Sequence, residues 1–226
     1  MQLPGKNNSP KLAPYDVNDE LNTIFGIPEQ NLLTQIASRA IARWRGAATP
    51  NHPLTTKGQD FYSESIVSSR ELLKPFGFVA WSKNNVELII NKEKGVAIYC
   101  CRGCDQTGLP EGRPSTLRPK GDFTVELLGL QETKNASNLE LFPKARATSP
   151  LDWDVWILLT YVELSGENPT VRVELSRPKS HYRGVINSFG SRIILDTTTR
   201  DLVQETSHEE SFSPDIDFDL PEKQVS

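Results

Sequence analysis

Three cysteines cluster in Cys100-Cys101-Arg-Gly-Cys104. The Cys101-x-x-Cys104 spacing is that of half a structural zinc site, which needs four ligands and usually draws the rest from a second pair of Cys or His. The remaining candidates, His52, His181 and His208, are scattered singly along the chain, so no metal is expected. Redox dithiols share the spacing but sit at a helix N-terminus, where the dipole favours thiolate. Here Gly103 and Pro110 imply a loop, and the favoured reading is a buried thiol pair at the end of a strand.

The stretch that follows, from Arg102 to Gly121, is rich in Gly and Pro and carries Arg102, Arg113, Arg118 and Lys120 against Asp105 and Glu111. Long loops without regular structure are uncommon inside compact domains and are often functional. Glycine lets backbone N–H groups approach an anion closely, and arginine grips phosphate oxygens in pairs. The segment lacks Gly-x-x-x-x-Gly-Lys-Ser/Thr and is no P-loop. A second basic group is Arg39, Arg43 and Arg45. On a helix, positions 39 and 43 lie one turn apart on one face, as cations following a phosphate backbone would.

Asp152-Trp-Asp154 pairs two carboxylates at the start of an expected strand, where alternation points both to one face. No histidine or third acid accompanies them, so they read as solubility residues. Gly-x-Ser-x-Gly, His-Glu-x-x-His and Gly-x-Gly-x-x-Gly do not occur. No catalytic residue is assigned from the sequence, and no cofactor is expected.

The elements that must position these groups follow from periodicity. Residues 16–25 form a short helix ended by Gly26. Residues 28–45 form a longer one, with Pro28 at its first position, a stripe of Leu32, Leu33, Ile36, Ala40, Ile41 and Trp44, and Gly46 as its stop. A third helix covers 59–73 and stops before Pro75 and Gly77. Strands are expected at 78–81, 86–90 and 96–101, joined by turn-like polar segments into an antiparallel meander. Residues 122–130 fit both helical and strand periods, and helix is favoured because the run is not β-branched. A hairpin follows from 153–164 and 171–176, with one face meeting water, then a last strand at 191–195.

The order helix, three strands, helix, strand resembles the core of the PD-(D/E)XK nuclease superfamily. The resemblance implies a metal-dependent nuclease with an acid on the second strand and Glu-x-Lys on the third. The second strand offers Glu87. The third reads Val96-Ala-Ile-Tyr-Cys-Cys101, with Glu93 and Lys94 just before it in the wrong arrangement, so an active enzyme would need a relocated site.

Hydrophobic residues make up 37% of the 226 and charged residues 24%, enough apolar matter for one generous core and against global disorder. No apolar run approaches the roughly 18 residues that span a bilayer. The N-terminus lacks the apolar stretch of a signal peptide, and three cysteines are an odd number for a disulfide framework. A cytoplasmic location without membrane contact is expected. The net charge of −4 is uneven, because residues 201–226 hold eight acids and one base, leaving 21 acids against 24 bases before them. The expected organisation is a flexible arm over 1–15, a single α+β domain over 16–200 and a disordered acidic tail over 201–226. In that domain, N-terminal helices precede a mainly antiparallel sheet with one further helix. The expected function is that of a small bacterial accessory factor, not an enzyme, that meets nucleic acid or another anionic partner through Arg39, Arg43, Arg45, Arg102, Arg113, Arg118 and Lys120. The alternatives are a degenerate nuclease of the type just named and a subunit that meets another protein. The tail, where acids alternate with Ile216, Phe218 and Leu220, suits a protein partner or the body's own basic surface.

Overall fold

The computed structural model describes residues 14–46, 51–132, 153–163 and 170–197. Three helices come first, α1 (Pro14–Phe25), α2 (Asn31–Gly46) and α3 (Thr56–Leu73), followed by a 3-10 turn at Lys74–Phe76. Strands β1 (Val79–Lys83), β2 (Val86–Asn91) and β3 (Val96–Arg102) form the expected meander. Helix α4 (Asp122–Leu127) resolves the ambiguous stretch as helix, and β4 (Gln131–Glu132), β5 (Asp154–Glu163), β6 (Thr170–Tyr182) and β7 (Val185–Ile194) complete a seven-stranded sheet. The α+β class holds, in the order three helices, three strands, one helix and four strands. Pairing is mainly antiparallel, but β5 runs parallel to β3, with Val96 opposite Asp154 and Arg102 opposite Thr160. A parallel neighbour requires a crossover, and α4 lies on it.

Both faces of the sheet are covered. On β3, Ile98 and Cys100 face the layer formed by α1, α2 and α3, where Phe25, Ile36, Ile41, Phe61 and Leu73 are buried. Ala97, Tyr99 and Cys101 face a second core containing Val125 and Leu127 of α4 and Ile186 of β7. A strand buried on both sides reads as a continuous apolar run, which is why Val96–Cys101 shows no alternation. No described helix is long and apolar enough to cross a membrane.

Helix α2 starts at Asn31 and not Pro28, because Gln30 is tied by its N–H to Asn18 Oδ1 at 2.9 Å and serves the first turn as acceptor. Strand β6 continues past the expected end at Ser176, and β7 starts at Val185 and not Ser191. Pro178 falls where the β6–β7 register shifts, so its missing N–H is accommodated at an irregularity. The two strands are joined by a turn at Arg183-Gly184, both at positive φ (48° and 78°).

The stretch after β3, expected to lack structure, is folded. Gly103 bridges to Thr116, and the Cys104 N–H donates to Ser115 O at 3.0 Å. Arg172 donates to the carbonyls of Asp105 and Thr107, and Arg192 to those of Leu109 and Gly112. Between these arginines, Glu174 is fully buried, accepts the Gly108 N–H at 2.7 Å and pairs with Arg192 at 2.5 Å. Gly108 sits at φ +72°, and a Cβ there would meet Arg172 at 2.7 Å. This glycine serves internal packing. The anion that its N–H binds is Glu174, a carboxylate of the protein itself.

The arm over 1–13, the acidic tail over 201–226 and Asp152 lie outside the described residues; Pro14 and Tyr15, placed in the expected arm, open α1.

Candidate anion-binding surface

Arg102 ends β3 at the edge where its parallel partner β5 also finishes. Alternation puts it on the face of Ile98 and Cys100, toward the helices. Its guanidinium lies over the Trp44 ring at 5.1 Å and the Phe61 ring at 5.8 Å, and Lys57 Nζ lies 5.9 Å from the same Trp44 ring. Trp44 belongs to the last turn of α2, between Arg43 and Arg45, so a β3 residue and the basic helix end are joined through one indole. The N–H of Leu117 donates to Arg102 O at 2.9 Å. That bond brings Arg118 close, and Leu117 itself is an exposed apolar side chain.

The Arg102 guanidinium is half-buried, and burial first, then the charge of Arg118, lowers its pKa. Its Nε is buried without a hydrogen-bond partner, and among the described residues no carboxylate forms an ion pair with Arg102 or Arg118. Tyr161, under the Arg172 guanidinium at 4.5 Å, donates to Glu163 at 2.9 Å. A charge withdrawn from water and left beside a like charge is unfavourable; an anion reaching it would offset both terms.

The other expected residues divide. Arg39 is exposed and paired with Glu71 at 2.9 Å. Arg43 and Arg39 border a cleft of about 710 Å³ between α2 and α3, shared with His52, Thr56, Asp60 and Glu64, so its charge is mixed. Arg45 and Arg113 are exposed. Arg113 follows Gly112, whose carbonyl Arg192 holds. Lys120 lies 5.8 Å from the Tyr99 ring, on the face of the sheet opposite α1, α2 and α3.

The cysteines pack. Cys100 Sγ lies 3.4 Å from Ser69 Oγ, Cys101 is buried, and Cys104 accepts the Ser115 N–H at 3.3 Å. Glu87 is engaged by Arg70 and Ser82. Asp154 pairs with Arg177 at 2.7 Å and accepts the Trp156 indole N–H at 3.1 Å. Among the described residues no three His, Cys, Asp or Glu are grouped to hold a metal ion.

Sequence reasoning missed Trp44 and Lys57 as members of the surface. Trp44 carried a signal in Arg43-Trp-Arg45, an aromatic between two cations, but its place in the apolar stripe of α2 hid it. Lys57 carried none, because nothing local foretells which ring it meets. Compared with known proteins, the chain matches no protein-family model, no curated protein and no solved structure.

Proposed function

We propose that the protein is a non-enzymatic accessory factor that binds nucleic acid through the surface centred on Arg102. The observation that carries this reading is a half-buried guanidinium stacked on Trp44, next to Arg118, with no carboxylate ion-pair partner among the described residues. Phosphate supplies the missing anion, and Arg43, Arg45 and Lys57 surround the same end of α2 with further positive charge. Rings and guanidinium planes interleaved in this way suit a nucleic-acid strand, whose bases stack while its phosphates pair. The 24 bases against 21 acids before residue 201 favour the same class of partner.

The test is retention on heparin and on immobilised DNA at low salt. Arg102→Ala and the triple variant Arg113→Ala/Arg118→Ala/Lys120→Ala are expected to elute earlier than the parent, with binding that falls steeply as salt rises. Arg113→Ala alone is expected to matter less than Arg118→Ala. Elution of Arg102→Ala and of the triple variant with the parent rejects the reading.

A further inference from the structure

The turn between β6 and β7 holds Arg183 at φ 48° and Gly184 at φ 78°. The turn between β1 and β2 uses the same backbone, with Asn84 at φ 48° and Asn85 at φ 62°. Tight hairpins of this kind favour Asn, Asp or Gly at the first central position, because φ is positive there: glycine adopts it freely, Asn and Asp tolerate it through local hydrogen bonds of their short side chains, and other side chains are strained. Asn84 satisfies that demand and Arg183 does not. Among the described residues no ion pair offsets the strain, and the exposed Arg183 guanidinium lies 5.3 Å from the Tyr182 ring.

The turn is also placed beside the surface already described. The N–H of Lys120 donates to Gly184 O at 2.8 Å, and the N–H of Thr116 to Ile186 O at 2.9 Å. A Cβ on Gly184 would lie 2.5 Å from Lys120 O, so turn and loop are in tight contact. Residues 116–120 therefore run from Arg102, held through Leu117, to the β6–β7 turn, carrying Arg118 and Lys120 between. No acid occurs from Leu117 to Gly121 or from Arg177 to Ser191. Neither Lys120 nor Arg183 has a carboxylate ion-pair partner among the described residues.

We infer that this run of cations is one path for a nucleic-acid strand that passes round the end of the sheet, from Arg102 on the face of α1, α2 and α3, over the exposed Arg118, to Lys120 on the other face and on to Arg183, with Arg183 contacting a phosphate at its far end. The inference rests on the function proposed above and adds a length requirement. A short strand reaches Arg102 and Arg118 only; a longer one also engages the turn. Arg183 stays in a strained position because its charge faces that strand.

Single-stranded oligonucleotides of increasing length, from a dinucleotide upward, are titrated by fluorescence anisotropy at low salt against the parent, Arg183→Asn and Arg102→Ala. Asparagine suits the turn, so Arg183→Asn removes the charge without disturbing the fold, and its melting temperature is expected to equal or exceed the parent's. Its affinity is expected to match the parent for the shortest strands and to fall about fivefold for longer ones. The salt slope should drop by about 0.7 for the lost phosphate contact. Parent-like binding of every length by Arg183→Asn, with Arg102→Ala still weakened, overturns the path and leaves the proposed function standing. Parent-like binding by Arg102→Ala as well overturns both.

Discussion

Cys100 is enclosed on all sides, and burial pushes its thiol up from the ordinary 9.0 to about 12, against a smaller opposing effect of the hydrogen bond with Ser69. Thiolate is the reactive form, so alkylation of the native protein near pH 8 is expected to spare Cys100 and Cys101 until the chain is unfolded, as read by peptide mass. The same burial has a stability consequence. Below about pH 9 the thiol is protonated in both states and costs nothing. Between about 9 and 12 the unfolded chain releases a proton that the folded chain retains, so stability falls as pH rises through that window. Tyr62, raised from 10.0 to about 12 by burial first, acts in the same direction. A melting temperature that does not fall between pH 9 and 11 contradicts this burial. Glu174 is the opposite kind of buried group, ionic and fully engaged. Removing its carboxylate in Glu174→Leu leaves the Arg192 charge without its counter-ion and the Gly108 N–H without its acceptor, and is expected to cost about 3 kcal/mol or more in chemical denaturation.

The folded loop after β3 and the long β6–β7 hairpin are the elements that make the surface. Gly108→Ala is expected to destabilise the protein by about 1–3 kcal/mol, since it combines a left-handed backbone with a contact too close to Arg172. Proteolysis between Asp105 and Leu117 should rise in parallel. The helices and the meander were legible because apolar spacing at Leu33, Ile36, Ala40 and Ile41, and the runs at Val86–Ile90 and Val96–Cys101, report local conformation. The loop's structure was not, because its ties come from Arg172, Glu174 and Arg192 on strands distant in sequence. The full length of the hairpin was not legible for a different reason: Pro178 reads as a strand breaker, and Arg183-Gly184 lacks the Asn-Gly or Asp-Gly signature of a tight turn. Of the basic residues singled out in the sequence, Arg118 lies near enough to Arg102 for its charge to act on the guanidinium. Arg39 is drawn off by Glu71, a pairing no local pattern reveals.

At the scale of the whole molecule, charge is divided between a mildly basic body and an acidic C-terminal segment. Deleting residues 205–226 removes seven acids and one base, leaving the protein more positive by six units. If the segment screens the surface around Arg102, its removal should raise affinity for polyanions, most at ionic strengths where the Debye length is about 10 Å or longer. Equal affinities with and without the segment reject screening.

The central claim is where a strand lies, and photo-crosslinking maps that directly. A single-stranded oligonucleotide bearing 4-thiothymidine is irradiated with the full-length protein at low salt, and the adducts are located by mass spectrometry. Adducts on Trp44 or within residues 115–121 are the expected result. Adducts confined to α1 or to the exposed edge strand β1, or none at saturating oligonucleotide, contradict it.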